Sequence, residues 1–84
     1  MLPSIPTLLA ELVRRPSVNP MGRTDIPPDL LYETRVTDFL EDRLRELGVP
    51  YRRLPVAPGR DNLVATYTPP TPPPFSVVWE AHQD

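Results

Sequence analysis

Residues 36–48, VTDFLEDRLRELG, predict the amphipathic helix on which the fold of this 84-residue chain is built. Its apolar residues recur at helical spacings while charged residues fill most other positions, and these apolar residues are Val36, Phe39, Leu40, Leu44 and Leu47. Gly48 favours a left-handed C-cap, and Pro50 prevents the helix from continuing. We therefore expect a helix between Asp29 and Leu47 that lays its leucine-rich stripe on a sheet, with Leu40 and Leu44 buried.

The sequence after this helix predicts the sheet. Tyr51–Val56 and Asn62–Thr68 are short β-prone runs joined by the turn-forming residues 57–61, and they indicate an antiparallel hairpin. Phe75–Trp79 is an apolar run with little alternation, which is typical of a strand covered on both faces. The predicted fold class is therefore α/β, with two helices packed on a small β-sheet made of the hairpin and the buried strand.

The other predicted helix precedes these elements. Ser4 is a suitable N-cap, Pro6 suits the first helical turn, and Pro16 ends the helix, which places it near residues 5–15. Residues 16–29 contain four prolines and one glycine, and this composition predicts an irregular connection to the second helix.

Composition excludes several classes of partner. The nine Arg residues are scattered and are outnumbered by 11 acidic residues, giving a net charge of −2, so we expect no nucleic-acid partner. No apolar stretch is long enough for a membrane span, and the absence of Cys excludes disulfides and Cys-ligated metals. Residues 1–4 carry no basic or apolar signal region, so a cytoplasmic location is expected.

Residues 69–74, PPTPPP, form a stiff segment without the N–H donors that a sheet requires. A rigid surface connection between strands is the ordinary interpretation. The segment also contains a PxxP spacing, which leaves open a ligand for a proline-recognising domain.

The residues with metal chemistry are His82 and Asp84 at the end of the chain. In extended backbone, residues two apart point to the same side, so the two side chains can share one site. Imidazole is a common zinc ligand, and a neighbouring carboxylate fixes its tautomer and raises its basicity. By itself a His-x-Asp pair is more often a surface or capping pair, and zinc requires about four ligands.

Four stretches in order resemble the amino-terminal part of the di-zinc exopeptidases and amidohydrolases, a family that includes acetylornithine deacetylase, succinyl-diaminopimelate desuccinylase, aminoacylase and glutamate carboxypeptidase. The stretches are an opening helix with its PSVNP exit (Leu8–Pro20), a helix ending in Leu-Gly (Val36–Gly48), the strand RDNLVA (Arg60–Ala65), and an apolar strand followed by His-x-Asp (Val77–Asp84). Together they cover nearly the whole chain.

The resemblance implies that His82 ligates zinc and that Asp84 is a catalytic residue that orients His82. It also implies two zinc ions in the complete site, with cobalt as an alternative metal, and hydrolysis of an amide bond in N-acyl amino acids or small peptides. One departure precedes the motif, because Glu80-Ala81 stands where the family usually has a small or apolar residue and then Gly.

The family's other metal ligands, its Glu general base and the lid domain through which its members form homodimers all lie further along the chain. Residues 1–84 are therefore expected to be the incomplete amino-terminal portion of a larger zinc-hydrolase catalytic domain, inactive alone. The alternative is a non-catalytic small α/β interaction module that uses Pro69–Pro74 as its contact loop.

Overall fold

A computed structural model describes residues 3–84, and these form two helices followed by a two-stranded sheet. The elements are α1 (Ile5–Arg14), α2 (Thr34–Leu47), β1 (Tyr51–Ala57) and β2 (Arg60–Ala65). The predicted α/β class, with two helices and an antiparallel hairpin, is confirmed.

Helix α1 begins and ends close to the predicted residues. The Ser4 hydroxyl accepts a hydrogen bond from the Thr7 N–H at 3.4 Å, so Ser4 is the N-cap, and Pro6 lies in the first turn. The helix ends at Arg14, one residue before the predicted end, because the backbone of Arg15 is extended ahead of Pro16. None of its residues is fully buried, so α1 lies at the margin of the molecule.

Helix α2 is shorter than the range within which it was expected. It begins at Thr34 because Tyr32 has a φ of +67°, a left-handed conformation that interrupts a right-handed helix. Its end agrees with the prediction, since Gly48 has a φ of +69° and donates to the Arg45 carbonyl. A parallel bridge between Val18 and Leu31 joins the two ends of the connection between α1 and α2.

The hairpin pairs Tyr51 with Ala65 at its open end, and its register is interrupted by a bulge between Pro55 and Ala57. β2 covers Arg60–Ala65, so it begins before the predicted Asn62 and ends before Thr68. Gly59 in the turn has a φ of +73°, and a Cβ placed there would approach the Tyr32 ring to 3.1 Å. Glycine is therefore required at this turn both by conformation and by space.

Arg53 joins α2 to the hairpin through three carboxylates. Its guanidinium donates to Asp61 of β2 at 2.7 Å and to two residues of α2, Asp38 at 2.6 Å and Glu41 at 2.8 Å. Arg60 makes a second connection by pairing with Glu33, a buried carboxylate just before α2. Helix and hairpin are thus tied at both ends of their contact by charge-assisted hydrogen bonds.

The buried part of the molecule is small and lies on α2. Val36 and Phe39 are the buried apolar side chains among the described residues, and Thr37 is also buried. The Arg15 guanidinium stacks 4.0 Å above the Phe39 ring and covers it from the end of α1. Leu40 and Leu44 were expected to be buried but are only half-buried, because they line an open groove between the helices and β2.

The predicted buried strand Phe75–Trp79 is wrong for the described chain. These residues form no strand and pair with neither β1 nor β2, and their apolar side chains are exposed, with Trp79 91% exposed. A strand without alternation needs cover on both faces, which two helices and one hairpin do not provide. The preceding residues 69–74 form neither helix nor strand, as predicted, and their five prolines cannot extend the ladder.

Neither helix in residues 3–84 has the length and apolar character that crossing a bilayer requires. The expectation that the chain starts without a signal region rests partly on Met1 and Leu2, and these two residues lie outside the described residues.

Replacing Arg53 by Met should destabilise the chain most at neutral pH. The hydrogen bond from Arg53 is the main cause that lowers the pKa of Glu41 below its ordinary value of 4.5. A lowered carboxyl pKa stabilises the folded state above the ordinary pKa, and the stabilisation is lost as pH falls through the lowered value. Urea unfolding should therefore show a wild-type advantage at pH 7 that narrows as the pH falls below 4.5, the ordinary pKa of the Glu41 carboxyl group.

The exposed neighbour Arg52 provides the control, because Arg52→Met also removes one positive charge from β1. Equal losses of stability in the Arg52 and Arg53 variants would show that the three ion pairs of Arg53 do not hold helix and hairpin together.

Removing the Phe39 side chain should have a larger effect than removing that of Leu44. Phe39→Ala should cost roughly 3–5 kcal/mol, the usual range for a buried aromatic side chain. Leu44→Ala should cost less because Leu44 is already half-exposed in the groove. Denaturant unfolding measures both, with exposed Leu47→Ala as the control. A larger loss of unfolding free energy for Leu44→Ala than for Phe39→Ala would contradict a core centred on Phe39.

The exposed run Phe75–Trp79 should make the 84-residue chain self-associate. Apolar, β-prone residues with unpaired backbone groups are a template for pairing between chains. Val78→Lys places a charge in this run and should raise the monomer fraction in sedimentation velocity at micromolar concentrations. Thr71→Lys adds the same charge to the exposed proline segment and should not. A wild-type chain that is monomeric under these conditions would contradict the prediction.

Candidate functional site

His82 and Asp84 lie together at the end of the described chain, as their spacing predicts. The His82 Nδ1 atom is 3.3 Å from Asp84 Oδ1. The His82 side chain is 93% exposed, whereas that of Asp84 is 23% exposed because neighbouring residues cover it. The carboxylate is thus held against the protein while the imidazole ring projects into solvent.

Gln83 anchors the backbone between these two residues. Its Oε1 accepts a hydrogen bond from the Thr37 hydroxyl at 2.6 Å, and its Nε2 donates to the Asp61 carbonyl at 3.3 Å. Thr37 belongs to α2 and Asp61 to β2, so Gln83 bridges the two elements that Arg53 also joins. Gln83 therefore points towards α2 and β2, between His82, whose ring is exposed, and Asp84, whose carboxylate is partly covered.

A second anchor acts on Asp84 directly. The Asn19 side chain donates from Nδ2 to Asp84 Oδ2 at 2.9 Å. This hydrogen bond is the main cause that lowers the pKa of Asp84 below its ordinary value of 3.8, and the His82 contact acts in the same direction. Arg60 also places positive charge near Asp84. Asp84 is therefore a carboxylate at neutral pH and accepts hydrogen bonds from two sides.

The tautomer of His82 follows from this arrangement. An ionised carboxylate can only accept, so a neutral imidazole bonded to Asp84 carries its proton on Nδ1. Its Nε2 atom then has a free lone pair that faces solvent and is available to a metal ion. A histidine ligand whose other nitrogen binds a carboxylate is a common arrangement in metal sites.

The described residues do not gather a set of metal-binding side chains around His82. Residues 3–84 contain no group of three or more His, Cys, Asp or Glu side chains placed to hold a metal ion together. Since zinc takes about four ligands, His82 can contribute only part of a coordination sphere.

An open apolar groove of about 420 Å³ lies beside the pair. α1 and α2 form its walls with leucine side chains that include Leu8, Leu12 and Leu44, and β2 contributes Leu63. Ala81, His82 and Gln83 also line this groove, so the groove adjoins the His82–Asp84 pair.

Sequence reasoning identified His82 and Asp84 but missed Gln83 and Asn19. The alternation of side chains could have pointed Gln83 towards the protein, because it is the residue between the two site residues. Asn19 lies 65 residues before Asp84, and nothing in its local sequence specifies that contact.

Comparison with known proteins identifies no relative of this chain. No protein-family model matches it. No curated protein and no solved structure matches it at a significant level either. The likeness to a known family therefore rests on the sequence motifs alone.

Proposed function

We propose that this chain is the amino-terminal part of a zinc-dependent hydrolase that cleaves an amide bond of N-acyl amino acids or small peptides, in the manner of acetylornithine deacetylase. In this proposal His82 is a metal ligand and Asp84 is the catalytic carboxylate that orients it. The observation that carries the proposal is the contact between His82 Nδ1 and Asp84 Oδ1, which leaves Nε2 free and exposed.

The residues present fit one ligand of a zinc centre. Asp84 accepts the hydrogen bond from the Nδ1 proton of His82, and Gln83 fixes the backbone between the two residues. His82 can then bind a metal ion through Nε2 on its solvent-exposed side. The other ligands of the proposed two-zinc site, and the Glu that moves the proton, would follow residue 84. A homodimer formed through a lid domain and a cytoplasmic location remain part of the same proposal.

Metal ions in such a site activate a water molecule and polarise the amide carbonyl. The contribution of this chain is more limited. His82 and Asp84 would set the direction from which one metal ion is held, and the anchored Gln83 would keep that direction constant while substrate binds. Cobalt could replace zinc on the same imidazole nitrogen.

The distribution of apolar surface supports a larger domain. The groove between α1, α2 and β2 is open, and the run Phe75–Trp79 beside the proline segment is exposed. Exposed apolar surfaces are common where a protein contacts further protein.

The second candidate function is a non-catalytic α/β interaction module. It is favoured by Pro69–Pro74, which is free of helix and strand and mostly exposed, and which contains the PxxP spacing that proline-recognising domains bind. No basic residue flanks the segment to orient it in a partner groove.

Calorimetry with zinc tests the role of His82 in the 84-residue chain. Because one exposed imidazole is the expected ligand, zinc should bind weakly, and His82→Ala should abolish this binding. Asp84→Asn should bind zinc more weakly than the wild-type chain does, since the amide no longer supports the Nδ1 proton as a carboxylate does. Tight one-to-one binding that depends on His82 would show a complete site and contradict the proposal of an incomplete one.

Sequencing the gene beyond codon 84, and assaying the longer product, tests the proposed function itself. Sequencing past codon 84 should show an open frame that encodes a bridging Asp, a Glu-Glu pair and a further His. The longer product should contain zinc and hydrolyse N-acyl amino acids, and His82→Ala should remove both properties. A stop codon directly after codon 84, with a folded chain that binds proline-recognising domains, would support the interaction module instead.

A further inference from the structure

Asn19 connects the start of the chain to the candidate site. It lies in the connection after α1, and its side-chain amide donates to Asp84 Oδ2 at 2.9 Å. Asp84 Oδ1 is the atom that contacts His82, so the two carboxylate oxygens have different partners. The carboxylate is therefore held at one oxygen by Asn19 while the other faces the imidazole.

The amide of Asn19 has a defined orientation. Its Oδ1 accepts a hydrogen bond from the Met21 N–H at 3.1 Å, which leaves Nδ2 as the group that faces Asp84. Rotating the amide by half a turn would place oxygen against carboxylate and lose both hydrogen bonds. The Met21 contact thus determines which atom of Asn19 meets Asp84.

The backbone around Asn19 is itself attached to the start of α2. The Val18 N–H donates to the Leu30 carbonyl at 2.9 Å, and the Tyr32 N–H donates to the Val18 carbonyl at 2.8 Å. Arg35 of α2 donates to the Pro16 carbonyl at 2.8 Å. The backbone next to Asn19 is therefore held by hydrogen bonds to α2 and to the residues just before it.

We propose that Asn19 is a positioning residue that holds the Asp84 carboxylate so that Oδ1 faces His82 Nδ1. The significance of this role for metal binding rests on the proposed function, whereas the role itself concerns only residues of this chain. By occupying Oδ2, Asn19 prevents the carboxylate from rotating away from the imidazole. Asn19 thereby keeps the His82 proton on Nδ1 and the lone pair on Nε2.

The test measures the tautomer of His82, which a merely structural role of Asn19 would not change. Because the chain has one histidine, its ring nitrogens give one set of ¹⁵N NMR signals. The spectra are recorded on the metal-free 84-residue chain over a pH series, and the tautomer ratio is taken on the high-pH plateau, where the ¹⁵N shifts no longer change with pH. The wild-type chain should show predominantly the Nδ1–H form.

Asn19→Asp separates the two roles of the side chain. It retains an acceptor for the Met21 N–H but replaces the amide donor with an oxygen that repels Asp84. The Nδ1–H preference should fall to that of Asp84→Ala, and Asn19→Ala should have the same effect. Asn62→Ala, at an exposed position in β2, is the matched control and should leave the wild-type ratio unchanged.

An unchanged tautomer ratio in folded Asn19→Asp would overturn the proposal. So would a further change when Asn19→Ala is added to Asp84→Ala, because Asn19 would then act independently of Asp84. Backbone amide spectra establish that each variant is folded. If Asn19→Asp does not fold, Asn19→Ser replaces it, since serine keeps an acceptor near Met21 but is too short to reach Asp84.

The outcome is separate from that of the proposed function. A lost Nδ1–H preference supports the positioning role even if the longer gene product proves to have no hydrolase activity. An unchanged ratio overturns the positioning role even if that product is a zinc hydrolase.

Discussion

The ion pairs of Arg53 are the interaction on which the rest of this structure depends. Only two apolar side chains among residues 3–84 are buried, so hydrophobic packing alone defines the position of α2 on the hairpin weakly. Arg53 supplies directional contacts instead, reaching Asp38 and Glu41 on the helix and Asp61 on β2. Isolated surface ion pairs contribute little, but one guanidinium shared by three carboxylates fixes a geometry.

The candidate site depends on the same contact between helix and hairpin. Asp61 binds Arg53 through its carboxylate and Gln83 through its carbonyl, while Thr37 of α2 holds the other end of the Gln83 amide. A shift of α2 along the hairpin would separate the two groups that anchor Gln83. The orientation of His82 beside Asp84 would then be lost, although neither residue of the pair had changed. The connection after α1 adds an independent support through Asn19.

Local chemistry made most of the fold predictable. The Ser4 cap, the left-handed Gly48 and the glycine in the hairpin turn each act within a few residues, and all were found where the sequence places them. The prediction of a buried strand at Phe75–Trp79 was wrong because an apolar run is buried only when other parts of the chain cover it. The composition of the run cannot supply that cover. The start of α2, which the sequence placed only within the range from Asp29 to Leu47, depends on a contact of the same distant kind. The backbone of Tyr32 is left-handed, and its ring lies beside Gly59, 27 residues later in the chain.

The sequence by itself determined the two helices, the hairpin and the spacing of His82 and Asp84. Helical periodicity, caps and turn residues are local, and the i, i+2 spacing of His82 and Asp84 brings their side chains to one side of any extended backbone. Only the tertiary structure decided how that pair is held. Asn19, Thr37 and Asp61 lie between 22 and 65 residues from the groups they anchor, and contacts over such separations leave no periodic signal in the sequence. They arise when α2, the hairpin and the connection after α1 meet.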